Sequence, residues 1–149
     1  MATSTMIQFL AAGQGADTSN RSQEETFISG GAITAGDWVA LDVSQSGADK
    51  ALYAIRTPAA AGAGNVVGVA LDNAAGAGSA VRVVVAGYVQ LANIVNGTAA
   101  GASLTTSGVT AGRALTYATG THTGTGPCGI ALTLAGASNT AEAWVFKRF

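Results

Sequence analysis

The sequence predicts a mainly β protein, a small β-barrel or β-sandwich, and three observations lead there. Short apolar runs rich in Val, Ile and Leu recur along the chain between Gly- and Ala-rich linkers, which is the spacing of strands and turns. No window carries a convincing 3.6-residue apolar period, so at most one short helix is expected, around Leu91–Ala99. A strand–loop–strand unit, Asn65–Val89, has an echo sixty-one residues on. Gly68-Val69-Ala70-Leu71 is matched by Gly129-Ile130-Ala131-Leu132, and Ala80, Val83 and Val85 fall on Ala141, Trp144 and Phe146. The expectation is therefore a duplicated hairpin in a compact β body, preceded by an extended N-terminal arm.

The arm spans residues 1–25. Thr, Ser, Gln and Asn are prominent in it, with a polar run Asp17–Glu25 and one apolar island, Met6, Ile7, Phe9 and Leu10. Such a segment cannot bury enough apolar surface to order itself. It reads as a terminal tail or as an arm that orders on a partner, and the island favours the arm. Residues 26–149 form the β domain, readable as two related modules, 26–95 and 99–149.

Thr26-Phe27-Ile28 is a first short strand, ended by Gly30-Gly31. Val39, Leu41 and Val43 then alternate with Trp38, Ala40 and Asp42, a period of two. Ser44–Lys50 is turn chemistry, and Ala51–Arg56 is a strand with Tyr53 and Ile55 on one face. Pro and two glycines make Pro58–Gly64 a loop despite its alanines. The hairpin strands Val66–Leu71 and Ala80–Val85 follow, joined by Asp72–Ser79, and Gly87 separates them from Tyr88–Val95. In the second half, Ala99–Thr106, Arg113–Ala118, Gly129–Leu134 and Ala141–Phe146 are strands, and Thr119–Pro127 is an exposed loop. A pentad Ala-Gly-x-x-(Val or Leu) recurs at Ala35–Val39, Ala77–Val81, Ala100–Leu104 and Ala111–Leu115. In each, glycine ends a turn and the apolar residue opens the next strand.

Composition narrows the function. Charged residues are 10% of 149, against about 25% in an ordinary soluble domain, so much of the surface is expected to be covered by other copies or by a larger assembly. A net charge of −1 with dispersed Lys and Arg argues against a nucleic-acid partner. Cys128 is single, which excludes an internal disulfide and a Cys-based metal site and suits a reducing cytoplasm or a particle assembled there. No apolar run approaches a membrane span.

Chemistry is sought and not found. Nucleophilic catalysis needs a base beside the nucleophile. His122 and Cys128 are the one conceivable pair, without a third group to orient them. Asp37, Asp42, Asp49, Asp72 and Glu142 do not cluster, and Asp37, Asp42 and Asp72 suit turns at strand ends. The expectation is no enzyme, no cofactor, no metal and no small-molecule substrate. Trp38 and Trp144 sit in apolar strands and suit core or subunit-interface packing. Arg82 in an apolar strand faces out from a half-solvated sheet or pairs across an interface. Trp38, Arg82, Trp144 and Phe146 are the candidate subunit interface.

Several runs in order carry a resemblance. Glu25-Thr26-Phe27, Trp38-Val39-Ala40-Leu41-Asp42, Ala51-Leu52-Tyr53-Ala54, Val66-Val67-Gly68-Val69-Ala70, Ala80–Val85 and Gly87-Tyr88-Val89 resemble the lambda-type head-decoration proteins and the small Ala/Gly-rich cement proteins of tailed phages. The resemblance covers Glu25 to Ile94. It implies a β-tulip-like homotrimer on the outer capsid surface of a virion, assembled in the host cytoplasm and clamping neighbouring major capsid subunits. Met6, Ile7, Phe9 and Leu10 would anchor the arm there, and Thr26, Phe27 and Ile28 would add a strand to a capsid sheet edge. The second hairpin copy, Ala99–Phe149, departs from the lambda-type pattern. A different reading is a phage tail, fibre or baseplate β-module that binds a host-surface glycan through Tyr88, Tyr117 and His122.

Overall fold

In the computed structural model of the chain, residues 22–59, 63–122 and 126–148 are described. They form nine strands: β1 Ser22–Ser29, β2 Trp38–Leu41, β3 Tyr53–Arg56, β4 Val66–Ala70, β5 Ala80–Asn93, β6 Ser103–Thr106, β7 Ala114–Thr116, β8 Gly129–Ala131 and β9 Thr140–Val145. The helical element among them is a 3₁₀ turn at Gly47–Ala51. The expected helix at Leu91–Ala99 does not form. Leu91–Asn93 finish β5, Ile94 bridges to Ala114, and Gly97 turns the chain with φ 83°. Met6, Ile7, Phe9 and Leu10 lie outside the described residues.

The first five strands close into a barrel in the order β1-β3-β2-β4-β5, with β5 pairing back to β1. A barrel this small is filled by its own side chains. The period of two decides which ones: Phe27, Val39, Ala54, Val81 and Val83 share the interior core, and Arg82 between the last two is exposed. β1 starts earlier than the sequence suggests. Ser22–Glu25, assigned above to the arm, pair with Val83–Gly87 of β5, and Phe27 is buried inside the barrel.

The remaining strands repeat this topology one for one. β5 continues through Gly87, at φ 96°, and its second half occupies the place that β1 holds in the first unit. Gly87 therefore does not separate two strands. Leu41 faces Ala54 as Thr106 faces Ala114. Trp38 faces Val69 as Ser103 faces Ile130. Val84 faces Val69 as Trp144 faces Ile130. The closing parallel contact recurs as well, Ser29 beside Ala54 and Ile94 beside Ala114. Gly30 and Val95 donate their N–H groups to those two alanine carbonyls at 2.8 Å. The four pentad glycines, 36, 78, 101 and 112, all have positive φ, a conformation glycine adopts without steric cost.

The repeat shifts one expected register. Val81, Val83 and Val85 correspond to Ala141, Ala143 and Val145, not to residues one further along. The turn Leu132–Asn139 is one residue shorter than Leu71–Ser79, and a slip of one places every side chain on the opposite face. Trp144 and Phe146 thus leave the core positions that the sequence match implied.

The second core joins the two units. Trp38, Val66, Val69 and Val84, from the outer face of the barrel, pack with Ala92, Leu104, Ala131 and Ala143 from the inner face of the second unit. Ala92 and Ala143 stand where the first unit has Phe27 and Val83, and the space so freed accommodates the Trp38 indole. Gly129 lies against that ring: a Cβ there would come within 2.9 Å of Trp38 Cη2 and 2.5 Å of the Trp144 carbonyl. Trp38 Nε1 is buried without a hydrogen-bond partner, a cost of about 1–3 kcal/mol that burial of the ring must exceed. Trp38 N–H donates to Gly112 O at 2.9 Å, and Gly112 N–H to Thr57 O at 3.0 Å, so backbone bonds tie the units too.

Gly68→Ala tests the packing of the hairpin. Its Cβ would meet Val84 O at 1.9 Å, whereas a Cβ at Gly31 meets nothing. Gly68→Ala should lower stability by about 1–3 kcal/mol and Gly31→Ala should leave it unchanged or raise it, read from urea unfolding midpoints.

Candidate interaction surface

Equivalent faces of the two units meet different fates. On the barrel, the outward residues Trp38, Val69 and Val84 lie side by side on β2, β4 and β5, and all three are buried under the second unit. On the second unit, the corresponding row is Ser103, Ile130 and Trp144, of which the first two are half-buried and the third is exposed. Trp144 is 38% exposed. Tyr88 faces it from β5 and Ile130 from β8, both half-buried. Leu132, next outward after Ile130, is exposed as well. Aromatic cross-strand neighbours of this kind stabilise a sheet, but their outer surfaces still face water. Burial first, and then the neighbouring Glu142 carboxylate, push the Tyr88 phenol above its ordinary value.

A shallow groove of about 820 Å³ borders this row, lined by Ser22, Gln23, Gly87, Trp144, Phe146 and Lys147. Ser22 is the residue at which the N-terminal 21 residues join the barrel. The charges are distributed unevenly around it. From Val83 to Ala141 the chain contains one charged residue, Arg113. The barrel's own outer face has an ion cluster instead, where Arg82 donates Nε and Nη2 to Asp72 at 3.0 and 2.8 Å and lies 3.7 Å from Glu24. Hydrogen bonds from Arg82 hold the Asp72 carboxyl below the usual carboxylate range. Arg82 faces outward, and its partners Asp72 and Glu24 belong to the same chain.

The other candidate residues separate. Trp38 is 0% exposed, so it offers nothing to a neighbouring subunit, and its interface is internal to the chain. Phe27 belongs to the barrel core. Thr26 and Ile28 pair with Arg82 and Ala80 on β5, and Ile28 also pairs with Tyr53. Trp144 and Phe146 remain at the surface, exposed and half-buried respectively. Ile130, Leu132 and Tyr88 were missed as a group. Their strands could be read, but three neighbouring strands in register are a tertiary fact.

Asp37 and Asp42 do turn work. Asp37 accepts from the Thr34 N–H at 2.9 Å and from Asn93 Nδ2 at 2.8 Å. Asp42 accepts from Gln45, Ser44 Oγ and Ser44 N–H, and these bonds hold its carboxyl below the usual range. His122 and Cys128 have different neighbours. His122 Nδ1 accepts from Ala118 N–H at 2.8 Å and its ring lies 5.7 Å from that of Tyr117. Cys128 is buried and donates its thiol to Leu104 O at 3.4 Å. Burial pushes that thiol up to about 12, opposed by the Arg148 charge.

A comparison with protein-family models and with curated proteins returned no match.

A thiol with so high a value is protonated throughout neutral and mildly alkaline pH, and only the thiolate reacts. At pH 8 the folded protein should leave Cys128 unmodified by a disulfide reagent such as dithionitrobenzoate, while the urea-unfolded chain reacts at once. Fast, stoichiometric labelling of the folded chain would show that the thiol is reachable and ionised.

Proposed function

We propose that the chain is a viral capsid decoration, or cement, protein that binds the outside of a tailed-phage head and braces contacts between major capsid subunits. The observation that carries this reading is the bare apolar row Tyr88–Trp144–Ile130. The barrel counterparts of Ile130 and Trp144, Val69 and Val84, are sealed by the second unit, and the charges beside the row are Glu142, next to Tyr88, and Lys147 on the groove. Interface cores are depleted of charged residues and enriched in Trp and Tyr. The resemblance of Glu25–Ile94 to head-decoration proteins supplies the partner, and Ser22, the first described residue, lines the groove beside the same face. The mechanism is mechanical: contacts spread over several capsid subunits raise the cost of separating them. Self-association into a trimer is part of this proposal, with Arg82 and Phe146 rather than Trp38 at the contact and Trp144 left to the shell.

The tail-module reading draws its support from the pairing of Tyr117 with His122 in one loop, a surface on which a sugar ring could stack. Labelled protein spread over the whole shell favours cement, and label confined to one vertex favours the tail module.

Truncation should stop at residue 21, because Ser22–Glu25 are part of the barrel. Removing residues 1–21 should leave the unfolding midpoint nearly unchanged and abolish co-sedimentation with expanded capsids. Trp144→Ser should keep the fold and weaken shell binding about tenfold or more, the size of an interface hot spot. If both variants co-sediment as the intact chain does, the decoration reading loses its contact surface.

A further inference from the structure

The barrel has an open mouth at the end where β1 overhangs β3. β3 reaches β1 only at Ile28 and Ser29, and below them a cavity of about 250 Å³ opens between the strands. Phe27, Leu41, Val67 and Val85 wall it. Phe27, Val67 and Val85 are also members of the barrel core, so the cavity ends on packed side chains. Ala51 stands at the opening, with the exposed Glu25 and Lys147 and the half-buried Arg148 on the rim.

Among the described residues the rim cations form hydrogen bonds to neutral groups. Lys147 Nζ donates to Gln23 Oε1 at 3.1 Å, and Arg148 Nη2 donates to the Gly126 carbonyl. The ion pairs among the described residues belong to Arg82. Lysine has three donors and arginine five, so both keep donors for a ligand. The side-chain charges of the described rim residues Glu25, Lys147 and Arg148 sum to a single positive charge, which suits one negative group better than two.

We propose that the barrel mouth binds a small monocarboxylate whose apolar body, one aromatic ring or a short alkyl chain, enters the cavity while its carboxylate meets Lys147 and Arg148. The volume fits that class. A dry cavity of about 150 Å³ takes a benzene ring, and 250 Å³ adds room for a short tail but not for a nucleotide or a drug-sized molecule. Mouths of β-barrels with apolar walls and a few placed polar groups are a common form of ligand site. This site lies on β1, β2, the 3₁₀ turn, β4, β5 and residues 147 and 148, and it holds whether or not the chain decorates a shell.

The probe is 3-phenylpropionate, titrated into the full chain and read from the NMR signals of the Val67 and Val85 methyls and the Ala51 amide. Saturable shifts at these positions are expected. The uncharged 3-phenylpropan-1-ol should bind about tenfold more weakly, the worth of a charge-assisted hydrogen bond. Lys147→Ala/Arg148→Ala should bring the acid down to the level of the alcohol, and both changes lie outside the strands. Ala51→Trp should plug the opening and remove the shifts. No saturable shift up to about 10 mM, or equal binding of acid and alcohol in the intact chain, overturns the proposal. So do shifts undiminished by Ala51→Trp in a folded variant.

Discussion

The structure depends on one strand serving two sheets. β5 pairs with β1 and β4 over its first half and with β9 over its second, and Ile94 just beyond it reaches β7. It is the last strand of one unit and the first strand of the next. The two units therefore cannot move as beads on a linker, because any hinge between them would break the ladder of a continuous strand. Gly87 is where the strand passes from one unit to the other. Its positive φ bends the strand without ending it, which a residue with a Cβ adopts only at a cost.

Sharing a strand fixes the relative placement of the units, and that placement explains the unusual composition. The second unit wraps its inner face against the outer face of the first, so its interior receives Trp38, Val66, Val69 and Val84 from outside. With large side chains arriving from the partner unit, its own positions must be small. Ala92, Ala141 and Ala143 stand where the first unit carries Phe27, Val81 and Val83. An alanine-rich interior is thus not a weak core. It is one half of a core whose bulky half lies elsewhere in the chain.

How far this could be read from sequence differs from element to element. The repeated Gly-Val-Ala-Leu and Gly-Ile-Ala-Leu runs identify β4 and β8, because both glycines are forced by close backbone approach, to Val84 O and to Trp144 O. The face of β9 was misread because its turn is one residue shorter, and apolar Trp144 and Phe146 imitate core residues where alanines fill the core. The start of β1 was hidden for a different reason. Gln23, Glu24, Glu25 and Thr26 are all exposed, so that part of the strand is held by backbone pairing to β5, which hydropathy does not register. Trp38 could be seen as a packing residue, but whether it packed within the chain or against another was a matter of how the two units dock. The apolar row on the second unit was likewise illegible, since Tyr88, Ile130 and Trp144 are far apart in the chain.

A repeat in which each unit covers the outer face of the one before it has an end, and the end needs a cover. In stacked repeats the terminal unit usually carries a polar outer face, which keeps the stack from growing. The barrel starts this two-unit stack with an interior that its own side chains pack, apart from the cavity at its mouth. The second unit finishes it with Ile130, Leu132 and Trp144 outward, and with Glu142 beside them on the same face of β9. A charged cap was attainable by surface substitution alone, as the Arg82–Asp72–Glu24 cluster on the barrel illustrates. Substitutions at exposed strand positions of this kind usually cost little stability. A largely apolar terminal face is therefore poorly accounted for by the needs of the fold, and it is the face on which the proposed decoration function would seat its partner.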